Sequence, residues 1–186
     1  MSKFLTLTVA LALPAVALAD KAPAALNFKM KDIDGKEVDL AKYKGKVVMF
    51  VNVASKCGLT PQYKQLQGLH DKYADRGLVI IGVPANEFLR QEPGTNAEIK
   101  EFCTSEYKVK FPMMAKVVVK GKGIAPLYQY LTSKETNPKF AGDIKWNFTK
   151  FLIVNGEVVA RFEPTVKPDS KQVTEAIEAG LKKLKE

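Results

Sequence analysis

Residues 47–61 read VVMFVNVASKCGLTP, and this stretch decides the fold. Residues 47–52 are largely apolar and rich in β-branched side chains, which predicts a strand covered on both faces. A short turn holding Cys57 follows, and the Thr60-Pro61 pair is typical of a helix cap and first helical residue. A thiol in this turn lies near helix-end amide groups and Lys56, which both favour the reactive thiolate form.

The patterns on either side of this unit alternate between strands and helices. Residues 27–40 hold two short alternating runs around Asp34-Gly35, which is a hairpin signal. Residues 78–83 repeat the strand pattern, and residues 95–98 match a capping box that opens a helix carrying Cys103. The remaining predicted elements are a helix from Thr60 through Tyr73, a short strand at 117–119, a helix at 125–131, a hairpin with strands 151–154 and 158–162 around Asn155-Gly156, and a closing helix from Asp169 or Ser170.

This order of elements describes an α/β domain of three layers, with a central mixed sheet flanked by helices. The strand, turn, cysteine and helix near the front, together with the late hairpin, follow the order of a thioredoxin-like fold. No internal repeat or second domain is visible in the sequence. Residues 20–186 are therefore expected to fold as one domain.

Residues 1–19 have the pattern of a secretory signal peptide. Lys3 gives a positive start, residues 4–16 are apolar, and residues 17–19 (Ala-Leu-Ala) form a small-residue cleavage signal. Cleavage before Asp20 would place the mature chain in the periplasm or otherwise outside the cytoplasm. The alternative is an uncleaved membrane anchor, for which the apolar stretch is short against the ~20 residues of a span.

Charge and cysteine content restrict the classes of function. Lys and Arg number 29 against 20 Asp and Glu, for a formal net charge of +9. The lysines are spread through every segment, which indicates a solvated basic surface, argues against nucleic-acid binding and leaves membrane contact at most peripheral. Two cysteines in an exported chain are compatible with a structural disulfide or with a catalytic pair.

Three separated blocks of sequence carry a resemblance to a known family. They read NVASKCGLT at residues 52–60, NEF and QEPG within residues 86–94, and KWNFTKF at residues 145–151. In order and spacing they resemble the glutathione peroxidase family, over nearly the whole mature chain. The resemblance implies the thioredoxin-like fold and a thiol peroxidase that reduces hydrogen peroxide and organic or lipid hydroperoxides, with no metal or other cofactor.

The family's tetrad of cysteine, glutamine, tryptophan and asparagine falls, by this resemblance, on Cys57, Glu87, Trp146 and Asn147. A thiolate attacks the O–O bond of a peroxide, and N–H donors stabilise the leaving oxygen. Indole and amide N–H groups donate without carrying charge, so Trp146 and Asn147 suit that role. The product on Cys57 is a sulfenic acid, with which a second thiol can condense.

Glu87 departs from the family pattern, because an ionised carboxylate cannot donate to sulfur and its charge disfavours a thiolate. Two outcomes are open. Either Glu87 is held protonated and donates through its O–H, or it turns away and the site uses Cys57, Trp146 and Asn147 alone.

Cys103 is the candidate resolving thiol. Its Cys-Thr pair ahead of a Phe-Pro pair is similar to the thioredoxin-dependent branch of the family, which implies a Cys57–Cys103 disulfide reduced by a thioredoxin-like dithiol protein or by glutathione. A disulfide requires Cα atoms within about 7 Å, so the helix that carries Cys103 is expected to open locally. Residues 131–143 are short compared with tetrameric members, which implies a monomer with an open cleft.

Two other interpretations stay open. A thiol–disulfide oxidoreductase on the same fold is weakened by Thr60, which stands where a Cys-X-X-Cys motif needs its second cysteine. The non-enzymatic interpretation is an exported binding or structural domain with a permanent Cys57–Cys103 disulfide.

Overall fold

A computed structural model describes residues 24–185, and the predicted signal peptide at residues 1–19 lies outside the described residues. The strands are β1 (Lys29–Lys31), β2 (Glu37–Asp39), β3 (Val47–Val53), β4 (Leu78–Pro84), β5 (Lys150–Val154) and β6 (Glu157–Phe162). The α-helices are α1 (Gln62–Tyr73), α2 (Asn96–Tyr107), α3 (Pro126–Thr132) and α4 (Lys171–Lys183). Short 3₁₀ helices occupy Ala24–Leu26, Leu40–Tyr43 and Ala74–Arg76.

The main sheet has four strands in the order β4-β3-β5-β6. Strand β3 is parallel to β4 and antiparallel to β5, so the sheet is mixed, as predicted. All seven residues of β3 are buried, which confirms a strand covered on both faces. Strands β1 and β2 pair as a separate antiparallel hairpin, with Gly35 at φ +84° in the turn.

Alternate residues of β3 point into two apolar cores, because successive side chains of a strand face opposite sides of the sheet. Val47, Met49 and Val51 belong to a core that includes residues of α1, α2 and α4. Val48 and Phe50 belong to a second core that includes residues of α3 and of the β1–β2 hairpin. The three-layer α/β prediction is confirmed.

Two local sequence signals form as predicted. The Thr95 hydroxyl accepts from the Glu98 N–H, and the Glu98 carboxylate accepts from the Thr95 N–H at 2.7 Å, so the capping box that opens α2 is complete. Asn155 and Gly156 join β5 to β6 with φ of 50° and 78°. Two left-handed residues in succession are what a tight type I′ hairpin turn requires.

Thr60 does not cap α1, contrary to the sequence prediction. The helix begins at Gln62 with Pro61 at its N-cap position and no side-chain cap. The Thr60 hydroxyl accepts from the Cys57 N–H at 3.0 Å and donates to the Ala54 carbonyl at 2.8 Å. The hydroxyl is thus used to close the turn that holds the cysteine, and it is no longer available to the helix.

The predicted strand at residues 117–119 is also wrong. The Val117 N–H bonds to the Pro84 carbonyl at 3.1 Å, and the Val119 N–H bonds to the Glu87 carboxylate at 2.9 Å. A ladder needs successive backbone partners on one strand, whereas this segment bonds to a strand end and to a side chain. It is therefore irregular chain that is bound to the end of β4 and to the Glu87 side chain.

Candidate active site

Cys57 lies in the turn between β3 and α1, and its side chain is buried, with 7% exposed. The Leu59 N–H donates to its Sγ at 3.4 Å. Thr60 fixes the same turn from the other side through its bond to the Cys57 N–H. A backbone donor aimed at sulfur stabilises negative charge there, so the turn suits a reactive thiolate. Cys57 is a free thiol.

Asn52, near the end of β3, fixes the block that carries Trp146 and Asn147. Its side-chain amide donates to the Trp146 carbonyl at 3.1 Å, and its side-chain oxygen accepts from the Thr149 N–H at 3.0 Å. The Asn52 carbonyl also accepts from the Phe148 N–H at 2.6 Å. The strand that leads into the Cys57 turn therefore also holds the tryptophan–asparagine pair in place.

Asn147 is fully buried and its amide donates to Gln91 Oε1 at 3.0 Å. Its own side-chain oxygen has no hydrogen-bond partner among residues 24–185. Trp146 is half-buried and its ring packs on Phe88, with ring centroids 5.7 Å apart. The structure thus brings both predicted donors to the segment that follows Glu87.

Gln91 is the residue that sequence reasoning missed. Its backbone carbonyl accepts from the Lys56 N–H at 3.0 Å, and its side chain accepts from Asn147, so it connects the Cys57 turn to the asparagine. The signal was present in the sequence, because Gln91 opens the QEPG part of the second block. An amide in this place can donate its own N–H₂ while it accepts from Asn147.

Glu87 is not brought into this cluster, which corrects its assignment to the place of the family's glutamine. Its side chain is exposed, and its carboxylate accepts from the Val119 N–H. Leu89 and Arg90 both have φ of 53°, and this pair of left-handed residues redirects the chain between Glu87 and Gln91. Of the two outcomes left open by the sequence, the carboxylate turns away, and an amide four residues later takes the position beside Asn147.

Cys103 lies on α2, in the same apolar core as Cys57, and is a free thiol with 1% of its surface exposed. Burial raises the pKa of this thiol to about 11, the Tyr63 hydroxyl acts in the opposite direction, and the Glu92 charge raises it further. A thiol with this pKa is a poor nucleophile at neutral pH. In this structure Cys103 is therefore a packed core residue rather than an activated one.

Lys150 is a fully buried lysine at the start of β5. Its ammonium donates to the Pro164 carbonyl at 3.2 Å and to the Val166 carbonyl at 2.6 Å, and Gln62 on α1 donates to the same Pro164 carbonyl at 2.7 Å. Burial lowers the pKa of Lys150 to about 7, whereas the two carbonyl acceptors favour the ammonium. This lysine anchors the loop after β6 against the start of α1.

The stability difference between the wild type and Lys150→Met is expected to depend on pH. The pKa of this lysine is about 7 in the folded protein and 10.5 in the unfolded chain. At a pH between these values, the folded lysine has lost its proton and the unfolded lysine still carries it. The unfolded state then binds more protons than the folded state. As the pH rises through this range, the free energy of unfolding of the wild type therefore increases relative to that of Lys150→Met, by up to about 1.4 kcal/mol per pH unit. Urea unfolding of both proteins from pH 6.5 to 9.5 measures this. A constant difference would mean that the two carbonyls keep the ammonium charged throughout.

Comparison with known proteins gives three findings. A family model described as "Glutathione peroxidase" matches residues 25–132. The "Thioredoxin/glutathione peroxidase BtuE" of Escherichia coli (strain K12) is 44% identical over 178 residues, which cover 85% of this chain and 97% of that protein. The "Crystal structure of Trgpx in apo form" aligns with a TM-score of 0.69 and 36% identity, over 87% of this chain and 97% of that one.

The thioredoxin-like fold is confirmed by these neighbours and by a more distant one. A thioredoxin-family thiol:disulfide interchange protein from Chlorobium tepidum aligns with a TM-score of 0.56 at 23% identity, over 89% of this chain and 99% of that one, a likeness of fold alone. Because the family model covers more than half of the sequence and the bacterial relative spans most of it, this chain belongs to the glutathione peroxidase family.

Proposed function

We propose that this protein is a thiol peroxidase in which Cys57 attacks the substrate. The proposal rests on the groups that surround the Cys57 sulfur. A backbone N–H bonds to Sγ, and the hydrogen-bonded amides of half-buried Gln91 and buried Asn147 are linked to the same turn. Membership in the glutathione peroxidase family supports an activity on hydrogen peroxide and on organic or lipid hydroperoxides.

In the first step, the Cys57 thiolate attacks one peroxide oxygen, the O–O bond breaks, and the leaving oxygen departs as water or alcohol after taking a proton. The indole N–H of Trp146 and the amide N–H groups of Asn147 and Gln91 are the donors for the sulfur and for that oxygen. Gln91 has the donor role that the family resemblance had placed on Glu87. The product is a Cys57 sulfenic acid.

In the second step, Cys103 condenses with the sulfenic acid to give a disulfide and water. Both sulfurs belong to one apolar core, which supports their pairing, and the burial of Cys103 requires that α2 opens locally. A dithiol protein of the thioredoxin class, or glutathione, then reduces the disulfide. The E. coli relative named a thioredoxin/glutathione peroxidase supports both kinds of reductant.

Mass mapping after one equivalent of hydrogen peroxide tests this cycle. The reduced protein should show two titratable thiols, and after the peroxide both should be replaced by a Cys57–Cys103 link. Persistent sulfenic acid on Cys57 would contradict the role of Cys103. A native protein with no titratable thiol before peroxide would favour the structural disulfide, and efficient disulfide exchange without peroxide consumption would favour the oxidoreductase.

Two reciprocal substitutions separate Gln91 from Glu87. Gln91→Glu is expected to slow the oxidation of Cys57 by about 10²-fold, because a carboxylate beside Asn147 cannot donate to sulfur and repels the thiolate. Glu87→Gln should leave the rate and its pH profile unchanged, because this side chain bonds only to the Val119 N–H among the described residues. Stopped-flow fluorescence of Trp146, the sole tryptophan, measures both rates. A large effect of Glu87→Gln would restore the protonated-donor hypothesis.

We propose that the mature protein is exported as a monomer after cleavage before Asp20. The charged start, apolar run and Ala-Leu-Ala signal of residues 1–19 support export. The short segment at residues 131–143 supports a monomer. Within residues 24–185, no helix has the length and apolar character needed to cross a bilayer. Recovery of a protein that begins at Asp20 from the periplasmic fraction would support export; a full-length product in the cytoplasm would contradict it.

A further inference from the structure

The segment that joins α3 to β5, residues 133–149, carries Trp146 and Asn147 and forms neither a helix nor a strand. Its start bonds back to carbonyls of α3 through two side chains, and Asn52 binds its end. Backbone polar groups in an irregular segment need partners from elsewhere in the chain. The stretch between the two fixed ends, residues 138–145, therefore depends on a contact with another part of the fold.

Arg161, on β6, supplies that contact. Its guanidinium donates to four consecutive carbonyls: from Nη1 to Phe140 at 3.2 Å, Ala141 at 3.2 Å and Gly142 at 2.7 Å, and from Nη2 to Asp143 at 2.7 Å. The Gly142 N–H closes the same turn onto the carbonyl of the last residue of α3 at 2.9 Å. A guanidinium presents its N–H donors in a rigid planar fork. One side chain therefore fixes the backbone just ahead of Trp146.

Arg161 is itself held in place from two sides. Only 8% of its side chain is exposed, and its Nε lies 3.4 Å from a Glu163 carboxylate oxygen. Its guanidinium carbon lies over the Phe151 ring, 5.2 Å from the centroid, where a cation is attracted to the aromatic face. Phe151 is the residue directly opposite Arg161 in the pairing of β5 with β6. The same side chain thus contacts the strand that follows the Trp146–Asn147 pair and the loop that precedes it.

The direction of the Trp146 side chain depends on this loop. Asn52 binds the Trp146 carbonyl, so it fixes the chain only on the side that leads to Asn147. The ring is half-buried and packs on Phe88, with centroids 5.7 Å apart. Only residues 144 and 145 separate Trp146 from the carbonyls that Arg161 binds. A shift of the loop would therefore move the indole, and small displacements of a donor reduce its effect on a reaction strongly.

We propose that Arg161 is a positioning residue for the peroxidase reaction and that it acts through Trp146. By binding the carbonyls of residues 140–143, it keeps the indole N–H in the orientation in which it donates while Cys57 attacks the peroxide. This role rests on the proposed function, because it requires the indole to be one of the donors. The hydrogen bonds of Arg161 go to the loop rather than to the Cys57 turn. Its effect on the rate is therefore indirect, and it should disappear when the indole is absent.

A double-mutant cycle of Arg161→Gln and Trp146→Phe tests this coupling. Trp146→Phe keeps an aromatic ring against Phe88 but removes the N–H donor, so oxidation of Cys57 by hydrogen peroxide should slow by about 10²-fold. Arg161→Gln should slow it by about tenfold, because the donor is present but displaced. The double variant should be no slower than Trp146→Phe alone. Loss of the free Cys57 thiol, followed by mass spectrometry after alkylation at increasing times, measures all four rates. Effects that multiply in the double variant would overturn the proposal.

Arg161→Lys separates the donor fork from the positive charge. A lysine keeps the charge beside Glu163 and Phe151, but its donors share one nitrogen and cannot span four consecutive carbonyls. The rate should therefore stay near that of Arg161→Gln, and Trp146→Phe should again mask the effect. Recovery of the wild-type rate would mean that the charge, rather than the position of the loop, assists the reaction, and would overturn the proposal. Arg161→Lys also takes the place of Arg161→Gln in the cycle if the glutamine variant does not fold.

The fluorescence of Trp146, the sole tryptophan, reports the position of the indole directly. Arg161→Gln should add a nanosecond component to the anisotropy decay and increase quenching by acrylamide, because a loosened loop lets the ring move. Arg76→Gln is the matched control, since Arg76 binds the Glu178 carboxylate at 2.9 Å and lies at the end of the sheet opposite the Cys57 turn. It should change neither the fluorescence nor the rate. Unchanged fluorescence in Arg161→Gln would overturn the proposal.

Trp146→Phe by itself distinguishes an error about Arg161 from an error in the proposed function. If Trp146→Phe is oxidised at the wild-type rate, the indole is not a donor in the proposed reaction, and the role of Arg161 falls with it. If Trp146→Phe is slow and Arg161→Gln keeps the wild-type rate, the indole remains a donor and only the role of Arg161 is wrong.

Discussion

Replacing Cys57 with serine is expected to reduce peroxide consumption by more than about 10⁴-fold, the scale on which loss of a nucleophile acts. A serine hydroxyl stays protonated at neutral pH and is a far weaker nucleophile than a thiolate. The turn should persist, because the Thr60 bonds that close it involve the backbone N–H of residue 57 and the Ala54 carbonyl rather than the sulfur. Peroxide consumption with excess thioredoxin or glutathione measures the loss.

Cys103→Ser is the matched control for that loss, since it removes the only other thiol in the sequence. It should still consume one equivalent of peroxide at the wild-type rate and then stop, with Cys57 held as sulfenic acid, unless glutathione resolves it from solution. Retained turnover in Cys57→Ser would mean that Cys103 or a group other than a thiol performs the reaction, and the assignment of Cys57 would be wrong.

Asn147→Asp is expected to slow the oxidation of Cys57 by about 10²–10³-fold, the range found for removal of a single donor to a developing charge. The substitution replaces the N–H₂ group that donates to Gln91 with a carboxylate oxygen, in a position with no exposed surface. Two oxygens would then face each other, and a negative charge would lie near the thiolate. Stopped-flow fluorescence of Trp146 measures the rate.

Asn137→Asp is the matched control for this substitution. Asn137 is a similarly buried asparagine, with 6% exposed, and its amide donates to the Leu131 carbonyl at 2.8 Å, outside the Cys57 cluster. Both variants lose stability from a buried carboxylate. Only Asn147→Asp should slow the chemistry, so equal rates in the two variants would place Asn147 outside the reaction.

The main elements could be predicted from the sequence because their signals are local. The apolar run that becomes β3, the capping box at Thr95 and the Asn155-Gly156 turn each fix a backbone conformation within a few residues. The positions of Cys57, Trp146 and Asn147 followed from the three blocks of the resemblance. The hydrogen bonds of Asn52, which hold two of these blocks together, join residues 94 and 97 positions apart and left no local pattern.

The errors share a physical cause. Thr60 had two competing uses for one hydroxyl, a helix cap or a turn closure, and composition does not decide between them. Glu87 and Gln91 lie four residues apart in a loop whose direction depends on left-handed φ at Leu89 and Arg90. Neither a leucine nor an arginine signals that conformation, since glycine and asparagine are its usual residues. The order of residues in the sequence therefore placed Glu87 beside Asn147, whereas the folded loop places Gln91 there.

The two hydrogen bonds of the Thr60 hydroxyl also determine whether this turn could accept a second cysteine. The substitution Thr60→Cys would complete a Cys-Gly-Leu-Cys motif, which is typical of disulfide-exchange enzymes. Sulfur is a weak donor and a weak acceptor, so the new side chain would surrender both bonds that close the loop around Cys57. The variant would carry the second cysteine in a turn that is no longer closed, so the motif by itself does not provide a disulfide-exchange site in this chain.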